Sequence, residues 1–173
     1  MRLFIAIRFS DMTCERLCAA VDALRAKGQG HFSPAENLHL TLAFLGETDT
    51  PDAALAALRE ITSPAFTLQF AGIGQFGSLF WAGIRENETL RSLQIQLVKH
   101  LKAAGFSFEE REFVPHITLA RHFTPNIDFS PVPAEEILSL IKEPVREIAL
   151  MRSYPDKNGA HYETLAIQFL SEK

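Results

Sequence analysis

His39-Leu40-Thr41-Leu42-Ala43-Phe44-Leu45-Gly46 and Pro115-His116-Ile117-Thr118-Leu119 carry one pattern, His-x-Thr-x, at two places in the chain. A strand repeats every two residues, so within each copy the His and Thr side chains point the same way, roughly 6–7 Å apart. In the first copy Leu40, Leu42 and Phe44 alternate with His39, Thr41 and Ala43. In the second, Ile117 and Leu119 alternate with His116, Thr118 and Ala120. The bulky apolar side of each strand is expected to pack on helices, which leaves His and Thr on the opposite, concave face. A polar stripe there is out of place unless something binds to it.

The flanking sequence repeats as well, at a fixed offset of 77 residues, from 39 to 116. Ile7-Arg8 falls on Ile84-Arg85, Val21 on Val98, Leu24 on Leu101 and Gly28 on Gly105. The order strand, helix ending in glycine, His-x-Thr strand therefore occurs twice, which implies an internal duplication. The expected fold is α+β: one two-lobed, pseudo-twofold domain over residues 1–173, with two antiparallel sheets lining a central cleft and helices outside.

Local signals place the remaining elements. Leu3 to Phe9 reads as a strand, and Ser10 or Asp11 caps a helix to about Lys27, with Leu17, Val21 and Leu24 on one face and Gly28 at its end. Leu38 to Leu45 is the first motif strand, stopped by Gly46. Thr50-Pro51 opens a second helix, to about Ile61, with Pro at its favoured first position. Phe66 to Ala71 and Leu79 to Ile84 read as strands around a glycine-rich turn, and Thr89 to Ala104 as a helix ending on Gly105. Phe113 to Phe123 is the second motif strand and Thr124 to Pro133 a loop. Glu135 to Ile141 reads equally as short helix or strand. Val145 to Arg152 and Tyr162 to Leu170 close the fold around a turn at Pro155-Asp156-Lys157-Asn158-Gly159.

Composition narrows the function classes. Of 173 residues, 47% are hydrophobic and 22% charged, ordinary for a globular domain able to bury a core. The net charge is −4 and there is no basic run, so any nucleic-acid substrate should be gripped by an end or a short piece. Cys14 and Cys18, four apart on the first helix and both on its expected buried side, suit neither a disulfide nor zinc. The start enters a strand directly and is too short an apolar run for a signal peptide, and no stretch is long and apolar enough for a membrane span. The expectation is a cytoplasmic protein, a monomer with no obligate protein partner.

Two imidazoles and two hydroxyls on one cleft make a complete acid/base and anion-holding set with no cofactor or metal. One imidazole accepts a proton at neutral pH while a second, kept protonated, donates one, which suits in-line displacement at phosphorus. Each Thr hydroxyl can donate to a non-bridging phosphate oxygen. Arg121 is a candidate bidentate phosphate contact, but strict alternation points it away from His116, so it needs a bulge to reach in.

The two motifs, with Leu3-Phe4-Ile5-Ala6-Ile7, Asn37-Leu38 and Tyr162-Glu163-Thr164-Leu165, resemble the two-histidine phosphoesterase superfamily over nearly the whole chain. Within it the resemblance is to the RNA 2′,3′-cyclic phosphodiesterases, also called 2′-5′ RNA ligases. It implies metal-free hydrolysis of a terminal 2′,3′-cyclic phosphate to a 2′-phosphomonoester, with a reverse ligase reaction open. It implies that His39 is the general acid protonating the departing 3′ oxygen, that His116 is the general base activating water, and that Thr41 and Thr118 hold the phosphate. The partners expected are RNA ends or short oligonucleotides bearing a cyclic phosphate. A phosphodiesterase of 2′-5′ linkages or other cyclic nucleotides, and a non-catalytic RNA-end or nucleotide phosphate binder, are the competing readings.

Weaker signals take plainer explanations. Gly72-Ile73-Gly74-Gln75-Phe76-Gly77 matches a dinucleotide-binding fingerprint, but a strand pattern rather than a helix follows, so it reads as a hairpin turn. Phe76 and Trp81 read as core residues, with base stacking the alternative. His31, His100, His122 and His161 have no partner pattern, and Glu109-Glu110-Arg111-Glu112 reads as a solvated loop.

Overall fold

The computed structural model describes residues 1–157 and 159–172. Chain order is β1 (Arg2–Arg8), α1 (Asp11–Arg25), β2 (Gly28–Phe32), a 3₁₀ turn (Ala35–Asn37), β3 (His39–Glu47), α2 (Pro51–Arg59), β4 (Phe66–Phe76) and β5 (Leu79–Ile84). It continues with α3 (Glu88–Ala103), β6 (His116–Pro125), α4 (Val132–Leu138), β7 (Lys142–Val145), β8 (Glu147–Asp156) and β9 (Gly159–Phe169). The strands form two antiparallel sheets, of order β3-β1-β8-β9 and β2-β6-β5-β4-β7. The fold is α+β, and the motif strands β3 and β6, one in each sheet, approach each other across the cleft between them.

The helices form where caps and apolar stripes coincide. The Ser10 side chain accepts from the Thr13 N–H and the Asn87 side chain from the Leu90 N–H, each satisfying a free donor of a first turn. Leu17, Ala20, Val21 and Leu24 of α1 and Leu90, Leu93, Leu97 and Leu101 of α3 are buried at helical spacing. Helices α1 and α4 cover the back of the five-stranded sheet, while α2 and α3 cover the four-stranded one. Strand β1 is buried on both faces: Leu3, Ile5 and Ile7 join the main core, and Phe4 and Ala6 join a second cluster with Ala149 and Met151. Full burial of a Leu, Ile or Phe contributes about 1.5–3 kcal/mol, so β1 contributes to the core through both of its faces.

Several boundaries differ from the sequence expectation. Helix α1 stops at Arg25, and Gly28 opens the unforeseen strand β2, where a Cβ would lie 2.5 Å from the Phe123 ring; Gly105, at φ +100°, does end α3. Gly46 does not stop β3. It takes φ +71° within the strand, at a register slip against β1. Strand β4 runs to Phe76, so only Gly77 and Ser78 make the hairpin turn, and Gly72 and Gly74 are strand residues. Strand β6 begins at His116 rather than Phe113 and takes in Thr124 and Pro125. The segment from Glu135 is helical as part of α4, and a further short strand, β7, follows it. Asn158 of the expected closing turn lies outside the described residues.

Strand pairing around the two motifs differs by two residues from a uniform offset of 77. His39 pairs with Arg8, whereas His116 pairs with Gly83, not Arg85. Ile84-Arg85 therefore sits two residues out of step with Ile7-Arg8 relative to its motif strand.

Candidate active site

Strand alternation places His39 and Thr41 half-buried on β3 between fully buried Leu40 and Leu42, and His116 and Thr118 half-buried on β6 between Ile117 and Leu119. Both imidazoles are anchored alike. His39 Nδ1 lies 2.7 Å from the carbonyl oxygen of Asn37, and His116 Nδ1 lies 2.7 Å from that of Val114. A carbonyl only accepts, so Nδ1 carries the hydrogen in both rings and Nε2 is the nitrogen left to gain or lose a proton. Asn37 is itself held by a bond from its side-chain amide to the Ala160 carbonyl, 2.8 Å, which ties the turn before β3 to β9.

Beyond these anchors the two sites differ. Thr41 Oγ1 lies 2.9 Å from His39 Nε2, donating when the ring is neutral and accepting when it is charged. The His39 ring packs on Phe4 (centroids 5.0 Å) and edge-on to Tyr162 (5.2 Å). The His116 ring sits against Phe76 (5.2 Å, edge-on) and Trp81 (5.8 Å). Burial pushes the His39 imidazole below its ordinary value. The charges of Arg121 and His116 push the same way, against the Asn37 carbonyl, which favours the charged ring. A cavity of about 660 Å³ opens beside His39, bounded in part by Arg8, Glu36, Met151 and Tyr162.

Arg121 reaches this face because the ladder slips. Phe80 pairs with Ala120 but Trp81 with Thr118, so Leu119 is an extra residue on β6. After it, Ala120 is buried and Arg121 exposed, on the side of His116 rather than opposite it, with its charge felt at His39.

Phe76 is not core: it is 47% exposed on the hairpin, stacked near Trp81. Trp81 is half-buried and lies on Gly74, where a Cβ would come within 2.2 Å of the indole. His31 and His122 meet edge to face at 5.6 Å, His161 faces Tyr154 at 6.2 Å, and His100 lies half-exposed in the last turn of α3. Cys14 and Cys18 are free and only half-buried, with burial raising both thiols. Glu109 to Glu112 is exposed and irregular. Sequence reading missed Phe4 and Tyr162 as walls of the His39 pocket. For Tyr162 the signal was available, since it alternates with Thr164 at period two along β9. Among the described residues no group of three or more His, Cys, Asp or Glu is placed to hold a metal, and no helix is long and apolar enough to cross a membrane.

Comparison with known proteins agrees with this layout. The family model described as the 2'-5' RNA ligase superfamily matches residues 13–154. An RNA 2',3'-cyclic phosphodiesterase of Thermotoga maritima is 33% identical over 162 residues, covering 88% of this chain and 83% of the relative. A protein of the same name from Geobacillus stearothermophilus is 36% identical over 147 residues, 76% of this chain, but the match spans only 45% of the relative's length. The crystal structure of E. coli LigT complexed with 3'-AMP superposes with a TM-score of 0.81 at 28% identity, over 98% of this chain and 97% of that one. With the family model running through both His-x-Thr strands, and a solved relative sharing the two-sheet frame from end to end, the chain belongs to the 2′-5′ RNA ligase superfamily.

Proposed function

We propose that the protein hydrolyses RNA 2′,3′-cyclic phosphate ends to 2′-phosphomonoesters, by proton transfers between His39, His116 and the substrate. The observation that carries this reading is the matched anchoring of the two rings, each with Nδ1 tied to the carbonyl two residues earlier and Nε2 left for exchange. His116 Nε2 takes a proton from water as the water oxygen bonds to phosphorus. The P–O3′ bond breaks, and His39 Nε2 gives its proton to O3′. Thr41, Thr118 and Arg121 hold the non-bridging oxygens as charge builds on them. Burial favours neutral His39, and the incoming phosphate charge offsets Arg121 and loads the ring with its proton. The likeness to the Thermotoga and Geobacillus RNA 2',3'-cyclic phosphodiesterases supports the substrate class. With a 5′-hydroxyl in place of water, the same transfers would form a 2′-5′ linkage. The two His-x-Thr units are read as descendants of one duplicated unit, with the register drift in β5 as a later change.

The test is incubation with an oligonucleotide ending in a 2′,3′-cyclic phosphate. A 2′-monoester product, a rate unaffected by chelator, and losses of about 10²–10⁴-fold in folded His39→Ala and His116→Ala are expected. A 3′-monoester would reverse the leaving group, strong chelator inhibition would point to a metal enzyme, and binding without turnover would leave a phosphate-binding module.

A further inference from the structure

His122 departs from its strand. Among the described residues it is the only non-glycine with φ in the left-handed region, at +51°, a conformation that side chains rarely adopt unless the surroundings hold it. Here the surroundings do. The ladder slips on both sides of β6, at Phe80/Trp81 of β5 and between Gln29 and His31 of β2. Gly30 of β2 lies so close to the distortion that a Cβ would sit 2.9 Å from Phe123 Cα and 3.1 Å from the His122 carbonyl oxygen. The result is two consecutive exposed residues, Arg121 and His122, between buried Ala120 and buried Phe123. His31 pairs in register with Arg121 and so shares its face, and its ring meets His122 at 5.6 Å. Arg121 stands on the same side of β6 as His116, and β6 faces β3 across the cleft, so this face borders the cleft.

We infer that His122 and His31, just beyond Arg121, form a second anion-binding station, one that takes an internucleotide phosphate of the RNA strand leading to the cyclic end. The inference rests on the RNA-end reading given above. From Thr118 to His122 the strand covers on the order of 10 Å, too far for one phosphate to touch both ends. A chain of net charge −4 does not attract a polyanion as a whole, so a strand must be held by local donors. An imidazole offers an N–H to phosphate oxygen whether neutral or charged. These contacts would add affinity for longer substrates without reading sequence.

The experiment compares a 2′,3′-cyclic mononucleotide with a trinucleotide ending in the same cyclic phosphate, using wild type, His31→Ala and His122→Asn. Asparagine tolerates the left-handed backbone, so His122→Asn removes the imidazole without relaxing the bulge. Each variant should raise KM for the trinucleotide by roughly three- to tenfold and flatten its salt dependence. kcat/KM for the mononucleotide should stay unchanged. Equal losses on both substrates, or no loss on the trinucleotide, would overturn the station while leaving the activity intact. If wild type turns over neither substrate, the RNA-end reading fails first and takes the station with it.

Discussion

Thr41 and His39 stand two residues apart on β3, and the threonine Oγ1 lies 2.9 Å from the imidazole Nε2, the nitrogen left free for proton exchange. The hydroxyl has one hydrogen to give: it steadies the neutral ring by donating to Nε2, and it is freed to donate to a bound phosphate once the charged ring donates to Oγ1 instead. Thr41→Val keeps the shape and removes both. The expected outcome is a fall in kcat of about 10²–10³-fold, typical for loss of one donor to developing negative charge, with Thr41→Ser largely restoring it. Steady-state kinetics on a cyclic-phosphate oligonucleotide check this. An unchanged kcat/KM in the valine variant would mean that other groups hold the phosphate.

The displaced His39 imidazole predicts two pH effects of defined sign. Burial lowers its folded-state value below the ordinary 6.5, so below that pH the unfolded chain binds a proton that the folded chain resists. The associated stability is complete above about pH 6.5 and is lost as pH falls toward the folded-state value. Wild-type Tm should drop on acidification through this window more steeply than that of His39→Gln, and parallel curves would contradict the assignment. Kinetically, an acid must hold its proton, and bound phosphate raises the affinity of His39 for it. The alkaline limb of kcat/KM, which reports the free enzyme, should therefore lie at lower pH than the alkaline limb of kcat.

Gly74 supports the other histidine indirectly. A Cβ there would come within 2.2 Å of the Trp81 indole, whose ring packs on Phe76 at 5.1 Å and near His116 at 5.8 Å. Gly74→Ala must displace the indole and so disturb its packing on Phe76 and His116. We expect kcat/KM to fall by about 10–10²-fold, the cost of a shift of about 1 Å in a reacting group, while far-UV circular dichroism is unchanged. Activity within twofold of wild type would remove Trp81 as the support of that ring.

How much of this was legible follows from which forces write themselves into local sequence. The two motif strands and helices α1 to α3 were visible because alternation, caps and a terminal glycine at Gly105 agree with one another. Strand β2 was not: Gly28-Gln29-Gly30-His31-Phe32 has no β-branched residue, and its glycines are there to let the backbone approach Phe123 and the bulge of β6. Strand β7 was hidden by Pro144 and by Glu143, a charge in a buried position. The need for a bulge to turn Arg121 inward followed from alternation. Its place, at Leu119, depends on pairing with β5, a long-range relation that no local window contains. The aromatic walls around the histidines come from β1, β4, β5 and β9, and only tertiary packing assembles them.

Glu143 gives that hidden strand its own prediction. It is 3% exposed, and its carboxylate accepts from the Ser10 backbone N–H at 3.2 Å and from the Ser10 hydroxyl at 3.0 Å. Ser10 is also the cap of α1 and lies two residues after Arg8, the β1 residue paired with His39. One carboxylate thus ties β7 to the joint where β1 becomes α1. Glu143→Ala takes the charged acceptor from both Ser10 donors, and should cost about 1.5–3 kcal/mol, or roughly 4–10 °C in Tm. Glu143→Gln keeps an acceptor and should cost markedly less. Denaturant and thermal unfolding of the two variants decide it: equal losses would mean that side-chain volume, rather than the bonds to Ser10, holds the joint together.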